Sequence, residues 1–386
     1  MLTMWFYKII FLLIVGFILV VVKPVGEKSM PTLGIYEVCS EITGCNPEEG
    51  IKKIKATGAN AVIITVVDED DLKSVVYYPS KYLPMAEGLP DNYLKRIIES
   101  AHQSKIKVYA SINMPHNYWL ARHPDWISVL SNGQPADKYE NDYDTRTVSP
   151  SRVIAEEECK ELLKNIISEV ASYGVDGIDI NDNFQFPTQY LEEQDVILYS
   201  SFDNFTVEKF ENETGVTVPG NSIKEKADYL MKKPDWLKWR AEQINQLFRI
   251  LKQDIKDTGR DIPLRPHLLT SEEPYSYYGL DYQGIAKEAD VLYVMLIPEQ
   301  AKEKYFEIIK QSKAAGAKRI AASTYLLKEM DKSDIEKDAG KISERMKWMK
   351  DAGADEIYVY DFRLIEEGNL WMTIKSIFDK IRVTEN

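Results

Sequence analysis

The sequence has 386 residues, of which 44% are apolar and 28% are charged, a composition typical of a globular protein. The length alone favours two or three domains, although a (β/α)8 barrel of this size forms a single domain. A net charge of −13 argues against nucleic acid as a partner and disfavours polyanionic substrates, whereas a neutral or cationic polymer stays compatible.

The chain begins with an apolar segment. Ile9–Val22 has no charged residue and no proline, and only Lys8 interrupts the residues before it, so the segment Met1–Val22 lies at the lower edge of the length of a membrane-spanning helix, roughly 17–25 residues. No small-x-small cleavage site follows Val22. We therefore expect residues 1–24 to be a single-pass transmembrane anchor in the cell membrane, with a cleaved signal peptide as the alternative, and residues 25–32 to be a linker. The rest of the chain is expected outside the cytoplasm, either anchored or secreted.

The cysteines leave the redox state open. Cys39 and Cys45 are close enough in sequence to form a small disulfide outside the cell, but three unpaired thiols, with Cys159 as the third, fit equally well. No Cys/His spacing resembles a zinc site, and no glycine-rich phosphate-binding loop is present. We therefore predict neither a metal nor a cofactor.

Eight short segments rich in β-branched and aromatic residues follow the linker, as expected for buried parallel strands. They are Leu33–Val38, Ala61–Val67, Lys107–Met114, Val175–Asn181, Pro263–Leu269, Val291–Pro298, Arg319–Tyr325 and Glu356–Phe362.

Amphipathic segments alternate with these strands, and most of them end at a glycine, the usual stop for a helix. They are Glu48–Thr57, Asn92–Ser104, Ser151–Ser172, Trp236–Thr258, Asp281–Ala289, Ala301–Ala315, Asp334–Ala352 and Leu370–Ile381. Eight β/α alternations predict an α/β fold, namely a (β/α)8 TIM barrel over residues 33–383, preceded by the anchor helix. Two long loops, Pro115–Pro150 and Asp182–Pro234, fall on the active face, and the second is expected to contain a helix near Ser201–Thr214.

The fourth strand runs into a cluster of carboxylates and amides. Asp182 stands where the strand ends, at the carboxyl-terminal face where barrel enzymes keep their chemistry, so we predict it to be the catalytic acid. Asp176 and Asp179 have a structural alternative, because each could bond to backbone amides or to a basic residue such as Arg265.

Other polar and aromatic residues at the strand ends suit glycosidic chemistry, which needs two carboxyl groups. The predicted second carboxylate is Glu299 or Asp361. The predicted substrate-binding residues are Asp179, Asn181, Asn183, Arg265, His267, Asn113, His116, Trp119, Tyr325 and Tyr360. Aromatic rings can stack on sugars, although packing is the alternative for each ring taken singly.

Several segments, in order, resemble glycoside-hydrolase barrels related to the C-terminal domain of poly-N-acetylglucosamine deacetylase, and also the family-10-like bacterial glycosyl hydrolases. The segments are Val76–Met85, Lys107–Ala110, His123–Trp126 with Gly133, Val175–Asp182, Pro234–Ile255 with Arg265, and Val294–Pro298. The resemblance implies hydrolysis or binding of an aminosugar polymer. A partly deacetylated polymer is cationic, which agrees with the negative charge of this chain.

The chain departs from that pattern at two positions. Asn183 stands where the pattern has a second aspartate, and Asn181 where it has a histidine. The segment is also similar to the strand of family-18 chitinases, but their catalytic glutamate is missing, which excludes an active chitinase. Two hypotheses are favoured: a membrane-anchored glycoside hydrolase acting on a polysaccharide, and a non-catalytic carbohydrate-binding barrel. A different barrel enzyme, such as an isomerase or a metal-dependent hydrolase, is the weakest reading because histidines are few.

Overall fold

The computed structural model describes residues 30–383, apart from 39–45, 71, 139–145, 192–195, 271–272, 297–300 and 327–331. The predicted anchor, the Cys39–Cys45 pair and Glu299 lie outside the described residues. Within the described part of the chain, no helix combines the length and the apolar character needed to cross a bilayer.

Eleven strands are described, and eight of them run parallel in a closed barrel. The strands are β1 (Thr32–Val38), β2 (Ala61–Asp70), β3 (Lys73–Val76), β4 (Lys107–Ile112), β5 (Gly177–Ile180), β6 (Thr188–Leu191), β7 (Val196–Tyr199), β8 (Leu264–Leu269), β9 (Leu292–Met295), β10 (Ile320–Tyr325) and β11 (Glu356–Tyr360).

The barrel order is β1–β2–β4–β5–β8–β9–β10–β11, and β11 pairs again with β1. Gly34 of β1 pairs with Ala61 on one side and with Tyr358 on the other, which closes the ring. All eight predicted strands are present, so the predicted barrel is confirmed. The other three strands form hairpins at the carboxyl-terminal ends of barrel strands: β3 pairs with β2, and β6 pairs with β7.

Helices lie between the strands. They are α1 (Pro47–Ala56), α2 (Tyr93–Gln103), α3 (His116–Leu120), α4 (Pro150–Ala155), α5 (Glu157–Ser172), α6 (Asn204–Thr214), α7 (Ile223–Leu230), α8 (Pro234–Asp257), α9 (Pro274–Tyr278), α10 (Tyr282–Glu288), α11 (Lys302–Ala314), α12 (Lys332–Ala352), α13 (Phe362–Glu367) and α14 (Trp371–Val383).

One predicted helix is in fact two. The segment Ser151–Ser172 breaks at Glu156, which is extended with ψ 127° and separates α4 from α5. The apolar pattern runs through the break without interruption, because both helices bury one face in the core, and so periodicity could not reveal it. The predicted helix near Ser201–Thr214 is α6, which is capped by Asp203 and stopped by Gly215 in the left-handed conformation, φ 72°.

The inside of the barrel is filled by a separate aromatic layer. Its buried members are Tyr36, Ala61, Ile63, Tyr109, Val291, Tyr293, Ala321 and Tyr358. Gly34 makes room for this layer, because a Cβ at that position would collide with the ring of Tyr358. The barrel therefore has a packed floor, and any ligand must enter from the carboxyl-terminal face.

Candidate active site

A buried ion network forms the floor beneath the mouth of the barrel. Arg265 on β8 donates from Nε to Asp179 Oδ1 at 2.5 Å and from Nη1 to Glu356 Oε2 at 2.7 Å, and all three side chains are fully buried. Arg319 also binds Glu356, at 2.5 Å. Burial works against the charged form of Glu356, but the two arginines hold its pKa below the usual value. The guanidinium of Arg265 lies 3.6 Å from the centre of the Tyr109 ring.

His267 joins this network from the same strand. Its Nε2 is 2.7 Å from Asp179 Oδ2, and its ring stacks on Tyr293 at 3.9 Å between centroids. Three predicted substrate-binding residues, Asp179, Arg265 and His267, are thus brought together, but each is 0% exposed. They support the site from below and do not reach its surface.

Asp182 occupies the mouth above this floor. β5 ends at Ile180, and a short 3-10 turn, Asp182–Phe184, places the carboxylate at the carboxyl-terminal face in a partly exposed position. Among the described residues, no other side chain donates a hydrogen bond to this carboxylate. Burial raises the pKa of Asp182, and the nearby His267 opposes that rise only in part. A raised pKa favours the protonated form that a general acid needs.

Several tyrosines lie within the electrostatic influence of the Asp182 carboxylate. Burial is the main cause of the raised pKa of Tyr36, Tyr278 and Tyr325, and the charge of Asp182 raises each of them further, which places the three rings near that group. The ring centroid of Tyr360 lies 5.0 Å from that of Tyr36 and 5.1 Å from that of Tyr325. Tyr325 and Tyr360 are partly exposed, so their apolar faces are available to a sugar ring.

Two asparagines at the end of β5 have different partners. Asn181 accepts from the backbone N–H of Asp182 at 3.0 Å and donates to Asn113 Oδ1 at 2.5 Å, and Asn113 donates in turn to Asp68 Oδ1 at 2.9 Å. A line of polar groups therefore runs along the rim from β5 to β2.

Asn183 turns away from this line. Its Oδ1 accepts from the backbone N–H of Met114 at 2.8 Å, and its Nδ2 donates to the carbonyl of the same residue at 3.1 Å. An aspartate could make only the first of these bonds, since a carboxylate has no donor. The amide at this position thus fastens the turn after β5 to the end of β4.

Two further predicted residues serve packing. His116 is buried, and burial lowers its pKa to about 4. Its Nε2 donates to the carbonyl of Asn183 at 2.8 Å, while Nδ1 accepts from the backbone N–H of Val148 at 3.2 Å. The ring is therefore neutral, and both of its nitrogens are hydrogen-bonded within the protein. Trp119 packs edge-on against His116 at 5.8 Å and is 0% exposed, so it has no free face for a sugar.

Of the two predicted second carboxylates, only Asp361 lies among the described residues. Asp361 caps α13, accepting from the backbone N–H of Leu364 at 2.9 Å, and it is 2% exposed with a pKa raised by burial. Its role in catalysis stays a prediction. Sequence reasoning did not select Tyr36 for the mouth, since only closure of the barrel places this residue of the first strand near Asp182. Within the described ranges, no group of three or more His, Cys, Asp or Glu side chains is arranged to hold a metal ion.

Residues 46–182 match the model of a family described as hypothetical glycosyl hydrolase 6, a span that ends on Asp182. No protein with curated annotation matches the sequence.

Solved structures of glycosidases share the fold at low identity. The glycoside hydrolase domain of PgaB (BpsB) from Bordetella bronchiseptica is 13% identical with a TM-score of 0.63, and the match covers 90% of this chain and 98% of that one. A β-galactosidase from the haloarchaeon Halorubrum lacusprofundi is 10% identical with a TM-score of 0.60, over 91% of this chain and 58% of that one. The spore cortex-lytic enzyme SleL from Bacillus cereus is 12% identical with a TM-score of 0.51, over 91% and 75%.

At these identities the structures establish the fold, and the family match covers the part of the barrel that carries Asp68, Asn113 and Asp182. Together they confirm the predicted resemblance to glycoside-hydrolase barrels.

Proposed function

We propose that the protein is an extracytoplasmic glycoside hydrolase in which Asp182 protonates the departing glycosidic oxygen. The observation that carries this proposal is the contrast between two aspartates three residues apart. Asp179 is 0% exposed and bound to both Arg265 and His267, so it is held as an acceptor. Asp182 is partly exposed, and burial raises its pKa. A general acid must be reachable by the glycosidic oxygen and is favoured by a raised pKa, and of these two aspartates Asp182 is the one that is partly exposed.

The surroundings of Asp182 suit a sugar. Tyr325 and Tyr360 offer partly exposed ring faces at the mouth, and Asn181, which is also partly exposed, supplies a polar group next to Asp182. Oligosaccharide recognition needs both, since a sugar ring has an apolar face and a polar edge.

The substrate class that we favour is a polysaccharide of aminosugars. The net charge of −13 favours a cationic chain, as a partly deacetylated aminosugar polymer is. The glycoside hydrolase domain of PgaB (BpsB), with a matching fold, agrees with a carbohydrate substrate.

We further propose that Met1–Val22, in which Lys8 is the only charged residue, anchors the enzyme in the cell membrane, because its length suits a spanning helix of roughly 17–25 residues. Fractionation of cells followed by mass spectrometry of the N-terminal peptide tests this. An intact residue 1–24 segment in the membrane fraction is expected, whereas a mature chain beginning near residue 25 in the medium would establish a cleaved signal peptide.

A substrate panel tests the proposed reaction. Full-length protein is incubated with β-linked glucosamine polymers of graded acetylation and with neutral β-glucans, and released oligosaccharides are measured by mass spectrometry. We expect turnover of at least one aminosugar polymer, and loss of that turnover in Asp182→Asn.

Asp176→Asn is the matched control, because Asp176 lies before β5 at the opposite end of the barrel, where it accepts from Val108 N–H at 2.8 Å. Tight binding without turnover by the wild-type protein would favour the alternative, a non-catalytic carbohydrate-binding barrel.

A further inference from the structure

A bulge in β2 decides where the side chains at its carboxyl-terminal end point. Ala61 and Ile63 face the interior layer, and Val62 and Ile64 face the helices, as alternation requires. The register between β2 and β4 then shifts between Thr65 and Val67. Such an extra residue re-aims every side chain beyond it.

The consequence falls on Asp68. Val66 and Val67 both pack in the outer core, so Asp68 faces the interior of the barrel. Strict alternation from Ile63 would instead have turned it outward. Its carboxylate accepts from Asn113 Nδ2 at 2.9 Å, and Asn113 is an interior residue at the end of β4. The bulge therefore turns a third strand-end aspartate toward the mouth that Asp182 occupies.

The hydrogen bonds of Asp68 leave it able to accept one more. Oδ1 receives Asn113 and the backbone N–H of Glu69, both at 2.9 Å, and Oδ2 receives the hydroxyl of Tyr77 at 3.1 Å. A carboxylate has about four acceptor sites, so one site on Oδ2 remains for water. The side chain is partly exposed, and among the described residues no lysine or arginine forms an ion pair with it.

The strand spacing limits how far apart the two aspartates lie. β2 and β5 are separated only by β4, and neighbouring strands lie about 4.8 Å apart, which puts the two strand ends about 10 Å apart. Hydrogen bonds link the two residues along the rim, from Asp68 to Asn113 at 2.9 Å and from Asn113 to Asn181 at 2.5 Å, and Asp182 follows Asn181 directly. Separations of roughly 6.5–9.5 Å belong to inverting glycosidases, and roughly 5–5.5 Å to retaining ones.

We propose that Asp68 is the second catalytic carboxylate and acts as the general base of an inverting hydrolysis. This proposal rests on the proposed function. The Asp68 carboxylate takes a proton from water, and the water oxygen forms a bond to the anomeric carbon from the face opposite the leaving group. The glycosidic C–O bond breaks, and Asp182 gives its proton to the departing oxygen. Both carboxyl groups then return to their starting forms by exchange with solvent, so the net reaction consumes one water.

The test compares Asp68→Asn with wild type and with Asp176→Asn on the aminosugar polymer. We expect a loss of about 100-fold or more in kcat for Asp68→Asn, the usual contribution of a general base, and little change for Asp176→Asn. Added sodium azide should restore part of the rate of Asp68→Asn, because a small anion can attack without a base. Rescue by azide would not follow from misfolding. Proton NMR of the fresh wild-type product should show the inverted anomer.

The outcomes separate the two proposals. Wild-type activity that persists within fivefold in Asp68→Asn, or a retained anomeric configuration, overturns the role of Asp68 while Asp182 keeps its own. A lack of turnover by the wild-type protein on every polymer overturns both.

Discussion

Replacing Arg265 by methionine should lower the free energy of unfolding far more than the loss of a surface arginine would. Arg265 on β8 binds Asp179 on the neighbouring strand β5 and reaches across the barrel to Glu356 on β11. Methionine fills much of the volume but leaves two buried carboxylates without their shared cation. Breaking a buried ion pair from one side costs about 3–5 kcal/mol.

The losses of the two ion pairs, Arg265 with Asp179 and Arg265 with Glu356, should not add in full. Glu356 keeps Arg319, and Asp179 keeps His267, so each carboxylate retains one partner. We therefore expect Arg265→Met to lower the free energy of unfolding by about 4 kcal/mol, out of a typical total of about 5–15 kcal/mol.

Urea unfolding at pH 7, followed by tryptophan fluorescence, measures the difference. Arg249→Met is the control, because the Arg249 side chain is 53% exposed and its pairs with Glu242 and Glu288 should contribute about 1 kcal/mol or less. If both variants lose less than about 1 kcal/mol, the network is not what holds the barrel floor together, and the structural role assigned to Asp179 is wrong.

Three further predictions concern single side chains. Burial raises the pKa of Asp254 from 3.8 to about 6, so the free energy of unfolding falls as the pH rises through that window. In urea unfolding, Asp254→Asn should therefore be more stable than wild type at pH 7 by about 1–2 kcal/mol, a figure reduced for solvent screening, and should show no gain at pH 3. The pKa of Asp182 is also raised, so thermal unfolding at pH 8 should show Asp182→Asn to be more stable than wild type; equal or lower stability would contradict the burial of that charge. Asn183→Asp loses the donor to the Met114 carbonyl and should cost about 1–3 kcal/mol in urea unfolding, whereas an unchanged midpoint would mean that the amide is not needed.

The barrel could be predicted because its signals are local. Each barrel strand is a short β-branched or aromatic run, as in Ala61–Val67, and most helices end at a glycine, such as Gly259. The position of Asp182 at a strand end could be predicted for the same reason, since it directly follows a buried strand. The alternation of strands and helices then left a closed parallel barrel as the simplest arrangement.

The details of the site depend on contacts between distant segments. Trp119 carries the sequence signal of a sugar platform, but its burial against His116 depends on how the loop after β4 folds back. Asn183 reads as a lost carboxylate until its two bonds to Met114 are seen. The orientation of Asp68 follows from a bulge in the pairing of β2 with β4, and pairing registers are not visible in a single strand.

The leaving-group dependence of hydrolysis tests the role of Asp182 most directly. Wild type and Asp182→Asn are compared on two aryl glycosides of the sugar that the polymer panel identifies, one with a phenol and one with 2,4-dinitrophenol as the leaving group. Dinitrophenolate departs without a proton, so the variant should keep most of its activity on that substrate while losing about 100-fold or more on the phenyl glycoside. Equal losses of activity on both substrates would show that Asp182 does not donate the proton and would contradict its assignment as the general acid.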